Sequence, residues 1–299
     1  MINLAGVYPP LTTPWKPDGS LDAAGLRQNI ERFNRIGLAG YVAVGSTGES
    51  VLLTSAEYRS ILEIVRDAAA PGKILIAGTG TDSTAETIAR TRLASELGYA
   101  VALVKTPYYY KPQMTAQVYL EHFRRVADAS AIPILLYSVP QFTGVALEAD
   151  VVARLAGHGN IIGIKESSGN IQRIAEIIAV APAKFQTLVG SASTVFASFA
   201  VGAVGAILGL ANPLPELCVE LFELARADEM KKARALQHRL MPASKRIVGE
   251  FGIPGTKFAM DCRGFRGGDP RPPLLPLTDA QKREVESILA PLTAAFTAK

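Results

Sequence analysis

The chain is poor in the residues that staple small proteins or hold metals: two cysteines, three histidines and one tryptophan in 299 residues. Cys218 and Cys262 share no CxxC or CxxxC spacing, and a chain of this length buries enough core to do without disulfides. Both are expected as free thiols in a reducing compartment, the cytoplasm. His122, His158 and His238 lie far apart with no ligand spacing, which argues against a metal site and for histidines at the surface or at helix ends. The 31 basic and 27 acidic residues, net charge +4, are scattered along the chain. A nucleic-acid surface needs such charges clustered, so none is expected. The amino-terminal MINLAGVYPPLTTPW lacks a basic n-region, and Pro9 and Pro10 break its apolar run, so no signal peptide is expected. Residues 185–215 carry no charge and would reach across a bilayer, but Ser191, Ser193, Ser198, Asn212 and repeated glycines interrupt them and no basic anchors follow. No membrane span is expected. A dinucleotide fingerprint is missing too: Gly78-Thr79-Gly80 is followed by Ser83 where GxGxxG requires glycine.

What the chain does have is a rhythm. Short apolar runs alternate with longer amphipathic segments, predicting strands over 6–11, 40–44, 73–77, 100–105, 133–137, 161–165, 186–189 and 203–208. Helical patterns fill the gaps, for example over 56–69, 85–97 and 116–129. The strands are continuous apolar runs, as expected of a parallel sheet buried on both faces. Eight parallel strands joined by helical crossovers close into an α/β fold, the (β/α)8 TIM barrel, within about 200–250 residues. The barrel is expected over 1–228. Beyond it, 229–299 reads as a helical extension packed on the barrel, with helices over 230–248 and 279–292 flanking the proline- and glycine-rich GGDPRPPLLPL.

In such a barrel the active site lies at the carboxyl ends of the strands. Here those ends are rich in hydroxyls: Thr12 and Thr13, then GSTGES, TPYYY, YSVP, KESSG and GSAS. Lys165 is read as the one cation among them preceded by an apolar strand. Ile161, Gly163 and Lys165 share a face by the two-residue period, so with that face inward the amine rises into the barrel mouth with little bulk beneath it. A dry setting favours the uncharged amine, the form that attacks a ketone to make a Schiff base. Tyr137 ends the preceding strand, about 5 Å away across the sheet, within reach of a group held on Lys165. It is the candidate proton carrier, alone or through a hydroxyl relay of Ser46 and Tyr109. Gly45 and Gly48 let the GSTGES backbone turn its amides toward a carboxylate, beside the Ser46 and Thr47 hydroxyls.

Taken together, GSTGES, TPYYYKP, YSVPQFTG, IIGIKESSG, FGIPGTK and RPPLLPLT resemble, in order and spacing, the family of dihydrodipicolinate synthase and N-acetylneuraminate lyase, over nearly the whole chain. The resemblance implies a pyruvate-dependent class I aldolase without metal or organic cofactor, usually a homotetramer arranged as a dimer of dimers. It implies that Lys165 forms the Schiff base with pyruvate, that Tyr137 shuttles protons, and that Ser46 and Tyr109 complete the relay, with Tyr109 lent across a subunit interface. Thr47 falls where the pyruvate carboxylate is held, and Gly190 and Ile207 match pocket positions; Ser167, in the KESSG turn, is added as a substrate-binding residue.

One departure bears on the substrate. Synthases of the family typically carry an arginine two residues after the proline of YNVP to hold the aspartate semialdehyde carboxylate, and here that place is Phe142. Phenylalanine has neither charge nor donor. With YSVPQFTG and KESSGN, the local sequence is closer to the 4-hydroxy-2-oxoglutarate aldolases. The expected reaction is cleavage of 4-hydroxy-2-oxoglutarate to pyruvate and glyoxylate, or of a similar 2-oxo acid. The alternative is 4-hydroxy-tetrahydrodipicolinate synthase, condensing pyruvate with aspartate semialdehyde; the non-enzymatic alternative is an oxo-acid-binding sensor or scaffold.

Overall fold

The computed structural model describes residues 2–294. Eight strands, β1 (Gly6–Tyr8), β2 (Gly40–Ala43), β3 (Ile74–Gly78), β4 (Val101–Lys105), β5 (Ile134–Ser138), β6 (Ile161–Glu166), β7 (Gln186–Val189) and β8 (Gly205–Ile207), run parallel. From β2 to β8 each strand pairs with its neighbours in chain order, and β1 pairs with β8. Closure comes from β1's continuation: the Leu11 amide donates to Val42 O at 2.9 Å and the Val42 amide to Pro9 O at 3.1 Å. The predicted first strand therefore ends early as regular strand, because Pro9 and Pro10 lack amide donors, yet Pro10 still bridges Val42. The ring of eight is a (β/α)8 barrel.

Helices α1 (Ala23–Phe33), α2 (Ser55–Ala68), α3 (Thr84–Glu96) and α4 (Ala116–Asp128) cover the first half. The turn α5 (Pro140–Thr143) and helices α6 (Ala149–Ala156), α7 (Ile171–Val180), α8 (Val195–Ala200) and α9 (Pro215–Arg226) cover the second. Ser, Thr, Asp or Asn caps fix where many of them begin: Asp22, Thr54, Ser83, Thr115 and Asn170 each accept an amide of the first turn. The uncharged 185–215 stretch resolves into β7, α8 and β8, with no element among the described residues long and apolar enough to be a membrane helix.

Alternate residues of each strand separate two kinds of core. Tyr8, Val42, Ile76, Leu103, Leu135, Leu188 and Ile207 fill the barrel interior, while Val7, Ala43, Ala77, Val104, Leu136, Ile164 and Val189 pack under the helices. One expectation fails here. The β5–β6 register slips so that Ile134 pairs with Ile161 but Leu135 pairs with Gly163. A bulge of this kind inserts one residue and breaks the two-residue period. Ile161 consequently packs on the helix side and Ile162 takes the interior place, so Ile161 does not share a face with Lys165.

The described part of the extension holds α10 (Met230–Pro242), a π-helical stretch over Ala243–Glu250, α11 (Gly252–Cys262) and α12 (Asp279–Thr293), with a non-helical stretch over 263–278 between the last two. Residues 295–299 of the expected extension lie outside the described residues. Pro242 has no amide to continue the ladder, and the wider π winding follows it. The helix expected over 230–248 is thus two segments, and α11 lies where none was anticipated.

Candidate active site

The barrel mouth is reached by Lys165 from β6. The residue is 5% exposed, and its Nζ lies 4.2 Å from the ring centroid of Tyr137. The two are register partners on β5 and β6. Room for the lysine comes from glycines. A Cβ on Gly163 would lie 2.1 Å from Gln186 O and 3.0 Å from Leu135 Cδ1. On Gly190, just past β7, a Cβ would lie 1.8 Å from Ser167 Oγ and 3.1 Å from Lys165 Cε. No side chain larger than hydrogen fits there without moving the lysine stem and the serine.

Around Lys165 opens a cavity of about 210 Å³ lined also by Tyr137, Thr47, Ser167, Gly190 and Ile207. Six of the eight expected site residues therefore meet at one place. The Ser167 hydroxyl is buried and has no hydrogen-bond partner, so a ligand atom in the cavity would relieve an unsatisfied polar group. Further hydroxyls line the cavity at Ser191, Ser193 and Ser244, but Lys165 is the only charged residue among the described lining. Phe142, on α5, forms part of the rim and is 66% exposed. The neighbouring Gln141 is occupied, donating from Nε2 to Ser167 O at 2.7 Å.

The remaining two are placed differently. Ser46 lines a second cavity of about 280 Å³ that shares Tyr137 as a common wall. Tyr109 lines neither and is 73% exposed, stacked edge-on against Tyr110 at 5.1 Å. Within a single chain, Tyr109 is not brought to Tyr137.

The loop between β2 and α2 is held under strain. Val44 and Glu49 bracket GSTG with φ of 51° and 59°, a region that β-branched and most other side chains avoid. What holds it is a buried ion pair. Glu49 and Lys257 are both 0% exposed at the side chain and 2.9 Å apart. Lys257 also donates to Thr13 O and Asp269 O, and Glu49 accepts from Trp15 Nε1 and the Arg271 amide. Burial holds the Lys257 ammonium below the ordinary lysine range, against the opposing pull of Glu49. Both residues sit inside motifs singled out in the sequence, GSTGES and FGIPGTK, yet nothing local in either reveals the pairing.

The sequence reading of Lys165 as the one strand-end cation is also corrected. VALVK of β4 is an apolar run ending in lysine in the same way, and Lys105 lines the second cavity with Tyr137. Among the histidines, His122 departs from expectation: it is buried, paired through Nδ1 with Thr84 Oγ1 at 2.9 Å, and burial lowers its pKa to about 4. Among the described residues no group of acidic, histidine or cysteine side chains is arranged to hold a metal, and both cysteines are free.

Known proteins resemble the chain over nearly its whole length. The model of the dihydrodipicolinate synthetase family matches residues 3–292. A 4-hydroxy-tetrahydrodipicolinate synthase of Methanothrix thermoacetophila is 38% identical over 96% of this chain and 97% of its own length. One from Acidiphilium cryptum is 37% identical over 94% of this chain and 96% of its own. Among solved structures, dihydrodipicolinate synthase from Aquifex aeolicus superposes with a TM-score of 0.92 at 32% identity, covering 97% of this chain and 98% of that one. A chloride-inhibited dihydrodipicolinate synthase from Acinetobacter baumannii, solved with pyruvate, gives 0.91 at 32% identity over 96% and 98%.

Proposed function

The chain belongs to the dihydrodipicolinate synthetase family, and from that premise we propose that it forms a Schiff base between Lys165 and pyruvate and makes or breaks a carbon–carbon bond on the resulting enamine. The observation that carries the reading is the buried Lys165 amine, 4.2 Å from the Tyr137 ring, in a cavity cleared by Gly190. The neutral amine adds to the C2 carbonyl of pyruvate and water leaves, giving the imine. Loss of a C3 proton then gives the enamine, a carbon nucleophile for an aldehyde. Tyr137 is the group placed to carry protons to and from the new hydroxyl, with Ser46 behind it across the shared wall. Thr47 and the buried Ser167 hydroxyl are assigned to the substrate's oxygens. Exposed Tyr109 fits a residue lent to a neighbouring subunit, and a cytoplasmic homotetramer is the proposed setting.

For the acceptor, the names of the relatives support condensation with aspartate semialdehyde to 4-hydroxy-tetrahydrodipicolinate. That reading takes precedence over the cleavage of 4-hydroxy-2-oxoglutarate suggested by the local motifs. The aldolase remains the second reading on one observation: Phe142 stands on the rim where the typical arginine would be, and among the described residues the cavity holds no cation besides Lys165. Family membership sets aside the sensor or scaffold. Two assays on the purified chain decide the acceptor: pyruvate-dependent consumption of aspartate semialdehyde, and release of pyruvate from 4-hydroxy-2-oxoglutarate. The account predicts turnover in at least one, with the faster identifying the acceptor. Inactivity in both, with properly folded protein, would overturn both acceptor readings.

A further inference from the structure

Tyr137 is flanked by lysines on both sides. Lys165 is its register partner on β6, and Lys105 is its register partner on β4. The second lysine is cleared as the first is: a Cβ on Gly80 would lie 2.3 Å from the Lys105 amide nitrogen and 3.0 Å from its Cγ. Lys105 and Tyr137 line the same cavity, together with Ser46. No hydrogen bond or ion pair of the Lys105 ammonium occurs among the described residues; it lies over the Tyr108 ring, 5.1 Å from Nζ to the centroid.

The charged and titratable groups that face it are few. Asp82, from the loop after β3, is engaged by the Tyr108 and Tyr109 amides at 2.7 and 2.9 Å. Arg90, from α3, is paired with Glu86 at 2.8 Å and stacked on Tyr58. Tyr108 follows β4, and Lys165 lies beyond Tyr137. Burial makes the ammonium costly and Arg90 adds to that, while Asp82 opposes it. A cation in this position is stabilised by negative charge that forms beside it, and the phenol of Tyr137 is the group across the strand pair on which such charge can form.

We propose that Lys105 is a positioning residue for catalysis, its ammonium stabilising the tyrosinate of Tyr137 whenever Tyr137 gives up its proton. The inference rests on the Schiff-base reading, because it gives Tyr137 a proton to carry. Side chains on neighbouring strands lie about 5–8 Å apart, and at an effective dielectric near 20 a unit charge at that range moves a titration by roughly one to two pH units. Loss of the Lys105 charge therefore withdraws that stabilisation from the tyrosinate form of Tyr137.

The test needs no knowledge of the acceptor. Exchange of the pyruvate methyl protons with deuterated solvent, followed by NMR, reports enamine formation, and its rate is measured across pH for the wild type, Lys105→Met, Lys105→Gln and Lys105→Arg. Thermal unfolding checks that each variant folds, and borohydride trapping with pyruvate checks the Lys165 adduct. The expected result is a rising limb displaced upward by about one to two pH units in Lys105→Met and Lys105→Gln, about tenfold or more slower exchange at neutral pH, and a limb restored by Lys105→Arg, all with the adduct intact. A limb unmoved in both neutral variants, with the adduct still forming, overturns the role of Lys105 and leaves the Schiff base standing. Absence of the adduct in the wild type overturns the Schiff-base reading and this inference with it.

Discussion

Replacing Lys257 by methionine keeps the shape of the side chain and removes its charge from a place where it is fully buried. Three interactions go at once: to Glu49 Oε1 at 2.9 Å, Thr13 O at 2.9 Å and Asp269 O at 2.7 Å. The larger loss is indirect. Glu49 keeps its bonds from Trp15 Nε1 and the Arg271 amide but becomes a buried carboxylate without a counter-charge, and breaking a buried pair from one side costs about 3–5 kcal/mol. At roughly 2–4 °C per kcal/mol for a chain of this size, the unfolding midpoint falls by about 10 °C. The companion variant Lys257→Met with Glu49→Gln removes the stranded charge and is expected to recover a good part of that loss, since a neutral buried pair has no such desolvation penalty. Chemical denaturation of the wild type, both single variants and the double variant closes the cycle. A single Lys257→Met variant within about 1 kcal/mol of wild type, or a double variant as unstable as the sum of the two singles, would refute the claim that this pair holds the strained loop.

Three further outcomes follow from the same geometry. Gly190→Ala puts a methyl 1.8 Å from Ser167 Oγ and 3.1 Å from Lys165 Cε, and a displaced nucleophile is expected to lower kcat by roughly a hundredfold or more with a stability cost of about 1–3 kcal/mol; steady-state kinetics and melting on one preparation check both. Glu57 accepts from Arg271 at 2.6 and 2.8 Å, and that partner leads in lowering its pKa from 4.5 to about 2. Because the folded-state pKa is depressed, the contribution is fully present above about pH 4.5 and is lost as pH falls toward about 2. Arg271→Met is therefore less stable than wild type at neutral pH, with the gap closing through that window when midpoints are compared by pH titration. Phe142→Arg places a guanidinium on the exposed rim and is expected to lower the KM for aspartate semialdehyde by about tenfold or more relative to wild type; an unchanged KM contradicts the rim assignment.

The repeating architecture was legible because helix-covered parallel strands need continuous apolar runs, and those runs stand out at 40–44, 100–105 and 133–137. Their ends were less so. Pro9 and Pro10 cut β1 short while leaving its continuation in the barrel seam, where the backbone N–H and C=O of Val42 on another strand both pair with it. The face of Ile161 was misread because the bulge between β5 and β6 is a relation between two strands, absent from the sequence of either. Site residues at strand ends were readable from their own neighbours, as with Lys165 after IIGI and Tyr137 after ILL. The same rule, applied evenly, picks out Lys105 after VALV. The partnership of Glu49 with Lys257 joins residues 208 apart, and the mutual proximity of Gly190 to Ser167 appears only once β6 and β7 are paired.

The most direct measurement is mass mapping of the chain after incubation with pyruvate and borohydride. One reduced pyruvate adduct per chain is expected, located on the peptide that carries Lys165 and abolished by Lys165→Ala but retained in Lys105→Met. An unmodified Lys165 peptide in active enzyme, or an adduct mapped to Lys105 instead, would contradict it.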